Sequence, residues 1–247
     1  MKLFRADLHN HTSLSPCGSL ENTPAIIVQI AKASGLDIIG ITDHNSALQA
    51  PLVRELGEEL GVFVLCGIEV TTEEGVHCLA FFEDTPTLLE FSEFIYPRIL
   101  NIPHDEEKYS PQIAIDRNGN IVAQPQKLLN SPTDLSLDDL EREIHHRNGL
   151  FIPAHIDRSY FSLTSQLGFV PPNLNFDALE ITRFTTKSAI IQRFPFLRNA
   201  TFIQSSDAHH PENLAATYTE FYMKKPSFQE IKLALKGVGG RGVRLKR

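Results

Sequence analysis

Asp7, His9 and His11 fall two residues apart in "DLHNH", directly after a short apolar run, and Cys17 follows in "SLSPC". On an extended chain, side chains two apart share a face, so His9 and His11 point the same way and Asn10 points the other. Two imidazoles on one face can hold one metal ion, although an isolated His-x-His pair is commonly incidental. Ligand residue types then recur along the chain. "DIIGITDHN" ends in Asp43-His44, "VFVLCGIEV" delivers Glu69, "EEGVHCLAFF" opens on His77, "GLFIPAHIDR" ends in His155, and "ATFIQSSDAHH" ends in Asp207 with His209.

Each of these alone reads as a loop residue or a helix cap. Jointly they do not, because six of the ten histidines would have to reach strand ends by accident together with Glu69 and Asp207. Imidazole mixed with carboxylate suits Zn, Mn or Fe, whereas Mg and Ca prefer oxygen. Eight candidate ligands exceed what one four- to six-coordinate ion takes, so two or three divalent ions are expected. His104, His145, His146 and His210 lie in loops or on a polar helix and receive no role.

The elements that must carry these residues are short apolar, β-branched runs alternating with helical patterns, the signature of parallel strands joined by crossover helices. The expected strands are 3–9, 37–42, 62–68, 76–82, 150–154, 178–182, 201–205 and 217–222. Thr23-Pro24 predicts a helix start, with Gly35 ending the helix after about Ser34. Ser136 with Asp139, and Ser227 with Glu230, are further capping signatures. Residues 101–135 break the alternation, and Asn118-Gly119 within "QIAIDRNGNIVAQ" predicts a β-hairpin excursion acting as a lid, an oligomer contact or a surface hairpin without a role. "KGVGGRGVRLKR" reads as a flexible or edge-packed basic tail.

Composition bounds the rest. The 247 residues, 42% apolar, suffice for a substantial core and are expected to form one domain. A formal charge of −7 argues against general binding of duplex nucleic acid. Three cysteines without a CxxC make no disulfide framework, and neither a signal peptide nor an apolar run of membrane-spanning length is seen, so a cytoplasmic location is expected. Cys66 and Cys78 read as core residues, Cys78 facing away from His77.

The ordered motifs "DLHNH", "TDH", "GIEV" with a following His, "PAH" and "SDAHH" resemble the polymerase-and-histidinol-phosphatase, or PHP, family, most closely its stand-alone members whose first motif continues "SPCG". The resemblance implies an α/β fold, a distorted (β/α)7 TIM-like barrel, here with the β-hairpin insertion near residues 101–135. It also implies a trinuclear metal centre and phosphoesterase activity. It assigns His9, His11, Glu69 and Asp207 to one metal, Glu69 with His77 and His155 to a second, and His44 with His209 to a third. The last ion's further ligand in the family is His or Asp, where this chain has Cys17 or Ser15. Cys17 then reads either as a zinc-type thiolate ligand or as a loop residue leaving water or substrate to complete the site.

Asp7 and Asp43 read as charged strand-end residues or as carboxylates orienting an imidazole. Arg158 and Arg183 are the candidate phosphate-binding guanidinium groups. The expected reaction is attack of a metal-bridging hydroxide on a small phosphomonoester, a nucleotide or a short oligonucleotide. The alternatives are an amidohydrolase-like hydrolase of C–N or ester bonds, and a metal- and phosphate-binding module without turnover.

Overall fold

In the computed structural model, which describes residues 1–245, the strand ends converge as the sequence requires, but the sheet is not uniformly parallel. The elements are β1 (Lys2–Asp7), α1 (Pro24–Ala33), β2 (Ile38–Ile41), α2 (Ala50–Leu60), β3 (Phe63–Thr71), β4 (His77–Phe81), α3 (Thr85–Ile95), β5 (Ala114–Ile115), β6 (Ile121–Ala123), α4 (Leu137–His146), β7 (Leu150–Pro153), α5 (Leu163–Gln166), β8 (Leu179–Glu180), α6 (Lys187–Arg193), β9 (Phe202–Ile203), β10 (Thr219–Met223), α7 (Phe228–Leu235) and β11 (Gly242–Leu245).

A curled sheet of seven strands has the order β11-β10-β1-β2-β3-β4-β7, and β8 pairs with β9 separately. β1, β2 and β3 are parallel, and so are β8 and β9. β4 runs antiparallel between β3 and β7, and β10 antiparallel against β1, which corrects the expectation of parallel strands throughout. For β4 the physical reason is loop length. Only the turn at residues 72–76 joins β3 to β4, too short for a parallel crossover. Beyond β1, Asn10 bridges Ala208 in parallel, which brings the chain after β9 against the end of β1. The whole is a distorted TIM-like barrel. Ala6, Leu8, Ile38, Leu65, Leu79, Phe81 and Ile152 form one buried cluster, while the helices pack on a larger one around Ile39, Ile41, Phe91 and Phe151.

Local chemistry explains the helix starts. Thr23, Ser136 and Ser227 cap α1, α4 and α7, each accepting a backbone N–H three residues on. Gly35, at φ +71°, follows α1. Gly40 is constrained by space instead. A Cβ there would lie 2.0 Å from the Leu8 carbonyl oxygen, so β2 can approach the end of β1 only without a side chain.

The 101–135 excursion contains the expected hairpin, β5 and β6, turned at Gly119 (φ +83°) with Asp116 accepting the Asn118 and Asn120 N–H groups. Gln49 hydrogen-bonds both backbone groups of Ile115, and Arg117 pairs with Glu55 and Glu59, which ties the hairpin to α2 and its start. The Ser110 and Ile113 N–H groups donate to the carbonyls of Pro16 and Ser13, so the excursion also supports the loop that carries Cys17. The tail settles toward the edge-packed reading: β11 pairs with β10, and Lys246 and Arg247 lie outside the described residues. No helix among the described residues is long and apolar enough to cross a membrane.

Candidate metal centre

β1 ends at Asp7, two residues earlier than expected, so His9 and His11 stand beyond the strand. They still share a face, because the Asn10–Ala208 bridge and a His11 N–H to Ala208 carbonyl bond keep the chain extended. The Asn10 side chain turns the other way and donates to the Asp7 and Gly40 carbonyls. Glu69 lies inside β3, which runs on to Thr71 rather than ending at Ile68. His77 opens β4 beside it, and His44 bridges Glu69 directly. Two residues of the site sit in left-handed backbone, His155 at φ +30° and Asp207 at φ +51°. Such conformations cost about 1–3 kcal/mol each and persist where surrounding contacts enforce them.

Glu69 is the hub. One oxygen lies 2.9 Å from His77 Nδ1 and 3.3 Å from both His9 Nε2 and His155 Nε2. The other lies 3.1 Å from His44 Nδ1 and 3.4 Å from His11 Nε2. Asp207 Oδ1 completes the cluster at 3.3 Å from His9 Nε2, 3.4 Å from His11 Nε2 and 3.6 Å from His209 Nδ1. Burial would raise the Glu69 carboxyl, but His77, His9 and His44 outweigh it and hold the group well below the usual carboxylate range. His11 goes the other way: burial, then the neighbouring His209, lower it to about 3.

The outward nitrogens of these rings are already committed. His9 Nδ1 lies 2.9 Å from Glu180 Oε2, and the Ser15 hydroxyl, which donates to Asp43 at 2.7 Å, stands 3.0 Å from His11 Nδ1. A serine whose only proton goes to a carboxylate must accept from the ring, so both imidazoles carry their proton on Nδ1. Their Nε2 atoms face inward, 3.2 Å apart and 3.3–3.4 Å from Glu69 and Asp207. Burial would lower His9, but the Glu180, Asp207 and Glu69 carboxylates around it hold it well above the usual imidazole range, so positive charge is favoured at this point. The buried atoms His44 Nδ1, His77 Nδ1 and Glu69 Oε2 lack a hydrogen-bond partner despite their proximity. Donor type, burial and unmet polarity together fit divalent metal, and three groups of close ligand atoms recur: His9/His11/Glu69, His44/Glu69/His77 and His11/His44/His209.

The remaining candidates divide. Cys17 lines the same cavity of about 180 Å³ but belongs to none of the three groups; His11 is there instead. Although the residue as a whole is exposed, its thiol is hemmed in, and burial followed by the Glu69 and Asp207 carboxylates pushes it up to about 12. Arg158 pairs with Asp207 at 2.5 Å. Arg183 is exposed and lines the adjoining cleft rather than this cavity.

Asp43 stands one side chain away from an imidazole. It accepts from the Thr12 N–H and hydroxyl and from Ser15, and reaches His11 only through Ser15. Asp7 touches no imidazole and accepts from Ser206 and from the Ala215 N–H. Burial lifts both carboxyls to about 6.

Sequence reasoning missed Glu180 and Asn130. Glu180, buried on β8, holds His9 and also accepts the His155 N–H at 3.0 Å. Its signal was a charged residue inside the apolar run "ALEIT". Asn130, which lines the metal cavity, stands in the 101–135 excursion and carries no such signal.

Known proteins resemble the chain in sequence and in fold. The chain is 26% identical to the YqxK protein of Bacillus subtilis, over 98% of the chain and 64% of YqxK. It is 37% identical to the MJ1587 protein of Methanocaldococcus jannaschii, over 37% of the chain and 59% of that protein. The lesion-specific endonuclease EndoQ of Pyrococcus furiosus superposes with a TM-score of 0.72 at 22% identity, over 98% of this chain and 58% of EndoQ. An EndoQ structure with a 27-mer duplex carrying an abasic lesion at the active site gives 0.69. The chain thus spans less than two thirds of each of these proteins. The PHP domain profile matches residues 7–160, from the carboxylate before the first histidine pair to just past Arg158. With the profile spanning more than half of the chain, and the barrel gathering the same motifs around Glu69, the chain belongs to the PHP domain family.

Proposed function

We propose that this chain is a metal-dependent hydrolase of phosphoester bonds. The observation that carries the reading is the pair of inward-facing Nε2 atoms of His9 and His11, 3.2 Å apart with both Nδ1 atoms held from outside, beside the partnerless atoms of His44, His77 and Glu69. In this reading His9, His11, Glu69 and Asp207 hold one ion, Glu69 with His77 and His155 a second, and His44 with His209 a third, near Cys17. Bound there, divalent ions would polarise the phosphoryl group and acidify a water for in-line attack.

The chain's own residues do the rest. Glu180 and Ser15 hold Nδ1 of His9 and His11, so that Nε2 of each ring is the atom that would face a bound ion. Arg158, steadied by Asp207 and lining both the metal cavity and the adjoining cleft, is placed to bind a phosphoryl oxygen. Phe161 stacks on His77 with ring centroids 4.7 Å apart and shields that side of the cavity. The substrate is a small phosphomonoester, a nucleotide or a short oligonucleotide; EndoQ's duplex complex makes a nucleic acid the natural first trial.

The test is turnover of a phosphoester panel by protein loaded with Zn, Mn or Fe. Turnover that is lost in His9→Ala and Asp207→Ala, and competitively inhibited by inorganic phosphate, is the expected result. Hydrolysis of amides or carboxylic esters with indifference to phosphate, or bound metal with no turnover of any panel member, would overturn it.

A further inference from the structure

The 101–135 excursion holds more than a hairpin. On its way back to the barrel the chain passes from Pro125 to Ser131, and one edge of this segment pairs with residues 102–104: the Leu128 N–H donates to the Ile102 carbonyl and the His104 N–H to the Gln126 carbonyl. Alternate carbonyls of an extended chain point to the other edge, where a further strand would normally receive them. Here two buried side-chain amides do so. Gln112 donates to the Pro125 and Lys127 carbonyls at 2.7 and 2.6 Å and accepts the Leu129 N–H at 3.1 Å. Asn45 donates to the next two carbonyls, Leu129 and Ser131, at 2.6 and 2.8 Å.

The two amides differ in where they stand. Gln112 belongs to the excursion, whereas Asn45 belongs to the barrel, one residue past His44. Asn45 is wholly buried and left-handed, at φ +49°, a backbone conformation that asparagine tolerates better than most side chains. Its N–H donates to the Glu69 carbonyl at 2.9 Å, and its side-chain oxygen accepts the Thr71 N–H at 3.2 Å. One residue therefore joins the loop of His44, the strand of Glu69 and the returning segment. Asn130, between the two gripped carbonyls, lines the metal cavity with His44, Glu69 and His77. Thr133 strengthens the same junction, since its N–H and hydroxyl both donate to the Thr71 carbonyl.

We propose that Asn45 is a positioning residue that locks segment 125–131 against the metal centre, so that metal occupancy and the order of this segment are coupled. An ion held by His44 and Glu69 would restrain the two chain segments that Asn45 joins, and Asn45 passes that restraint to the Leu129 and Ser131 carbonyls. The returning part of the excursion is then a wall of the site rather than a lid or a bystander. The inference rests on metal binding by this cluster and is independent of which bond the protein cleaves.

Hydrogen exchange on the full chain tests it, with metal uptake measured first by elemental analysis. Zn or Mn added to metal-depleted protein should slow exchange at residues 126–134 by about fivefold or more, the lower end of ordinary coupling between two sites. Asn45→Gly keeps the left-handed backbone and removes the clamp. In that variant the segment should exchange faster and lose its response to metal, while β1 and β7 stay protected. Coupling is reciprocal, so Asn45→Gly should also weaken metal binding by a similar factor in a chelator competition. Arg117→Gln, which frees the hairpin from α2 without touching the clamp, should keep both the response and the affinity.

Metal uptake that leaves residues 126–134 unchanged in the unaltered protein overturns the inference, whatever the variants do. An equal response in Asn45→Gly, or an equal loss in Arg117→Gln, overturns it as well. Folded protein that takes up no metal would sink it together with the hydrolase reading, whereas metal uptake without turnover of any phosphoester sinks that reading alone.

Discussion

The two sides of the barrel are built differently. From β1 to β4 the strands are paired on both sides, and their ligands are almost completely buried: His9, His11, His44 and Glu69 are each at most 3% exposed. From residue 156 to 200 the only strand has two residues, and arginines and aromatic rings stand exposed at the cleft. The candidate ligands stand in or just past strands held by many backbone bonds, whereas the cleft residues stand mostly on loops that can vary without disturbing them. The left-handed residues His155 and Asp207 stand where the two regimes meet.

The contrast gives an order of sensitivities. Glu69→Gln should have the largest effect, because five imidazoles approach this one carboxylate. Metal content measured by elemental analysis should fall for more than one ion, with affinity dropping beyond the roughly 10–100-fold expected for an outer-sphere carboxylate. Retention of full metal content would remove Glu69 from the centre of the scheme.

Glu180→Gln comes next and probes the boundary between the regimes. Loss of the His9 anchor should weaken metal binding by about 10–100-fold in a chelator competition, with His9 losing its single tautomer in nitrogen-15 spectra. An unchanged affinity would mean that β8 merely lines the cleft.

Gly40→Ala tests the rigid side without touching a ligand. The new methyl would meet the Leu8 carbonyl and force β1 and β2 apart, costing about 1–3 kcal/mol and roughly 2–10 °C in Tm by calorimetry. An unshifted Tm would show that the pair is not as tightly built as its contacts imply.

The smallest effect concerns pH. His145 on α4 lies 3.0 Å from Asp177, just before β8, and this hydrogen bond, opposed by partial burial and helped by Glu141, raises its pKa above 6.5. A raised histidine stabilises the fold below pH 6.5, and that contribution disappears as pH rises through the folded-state value. His145→Gln should therefore flatten a modest loss of stability, under about 1 kcal/mol, seen in denaturant titrations above pH 6.5. A parallel pH profile in the variant would contradict it.

Much of the candidate site was legible because ligand chemistry is carried by residue type and strand periodicity is local: His9, His11, His44, Glu69, His77, His155, Asp207 and His209 come together in one cluster. The α/β barrel, the helix caps at Thr23, Ser136 and Ser227, and the hairpin at Asn118-Gly119 were readable for the same reason, since caps and turns depend on a few neighbouring side chains. What required the tertiary structure was every relation across the chain. Glu180 stands 171 residues from His9, and Ser15 links Asp43 to a ring of a different strand end. The reversed direction of β10 depends on strand packing, and whether Arg183 faces the cluster or the cleft depends on how residues 156–200 fold back. Residue types set which chemistry was available to this protein; the distances that select a tautomer, share a carboxylate among five rings and leave two arginines facing one cleft arise only when distant segments pack together.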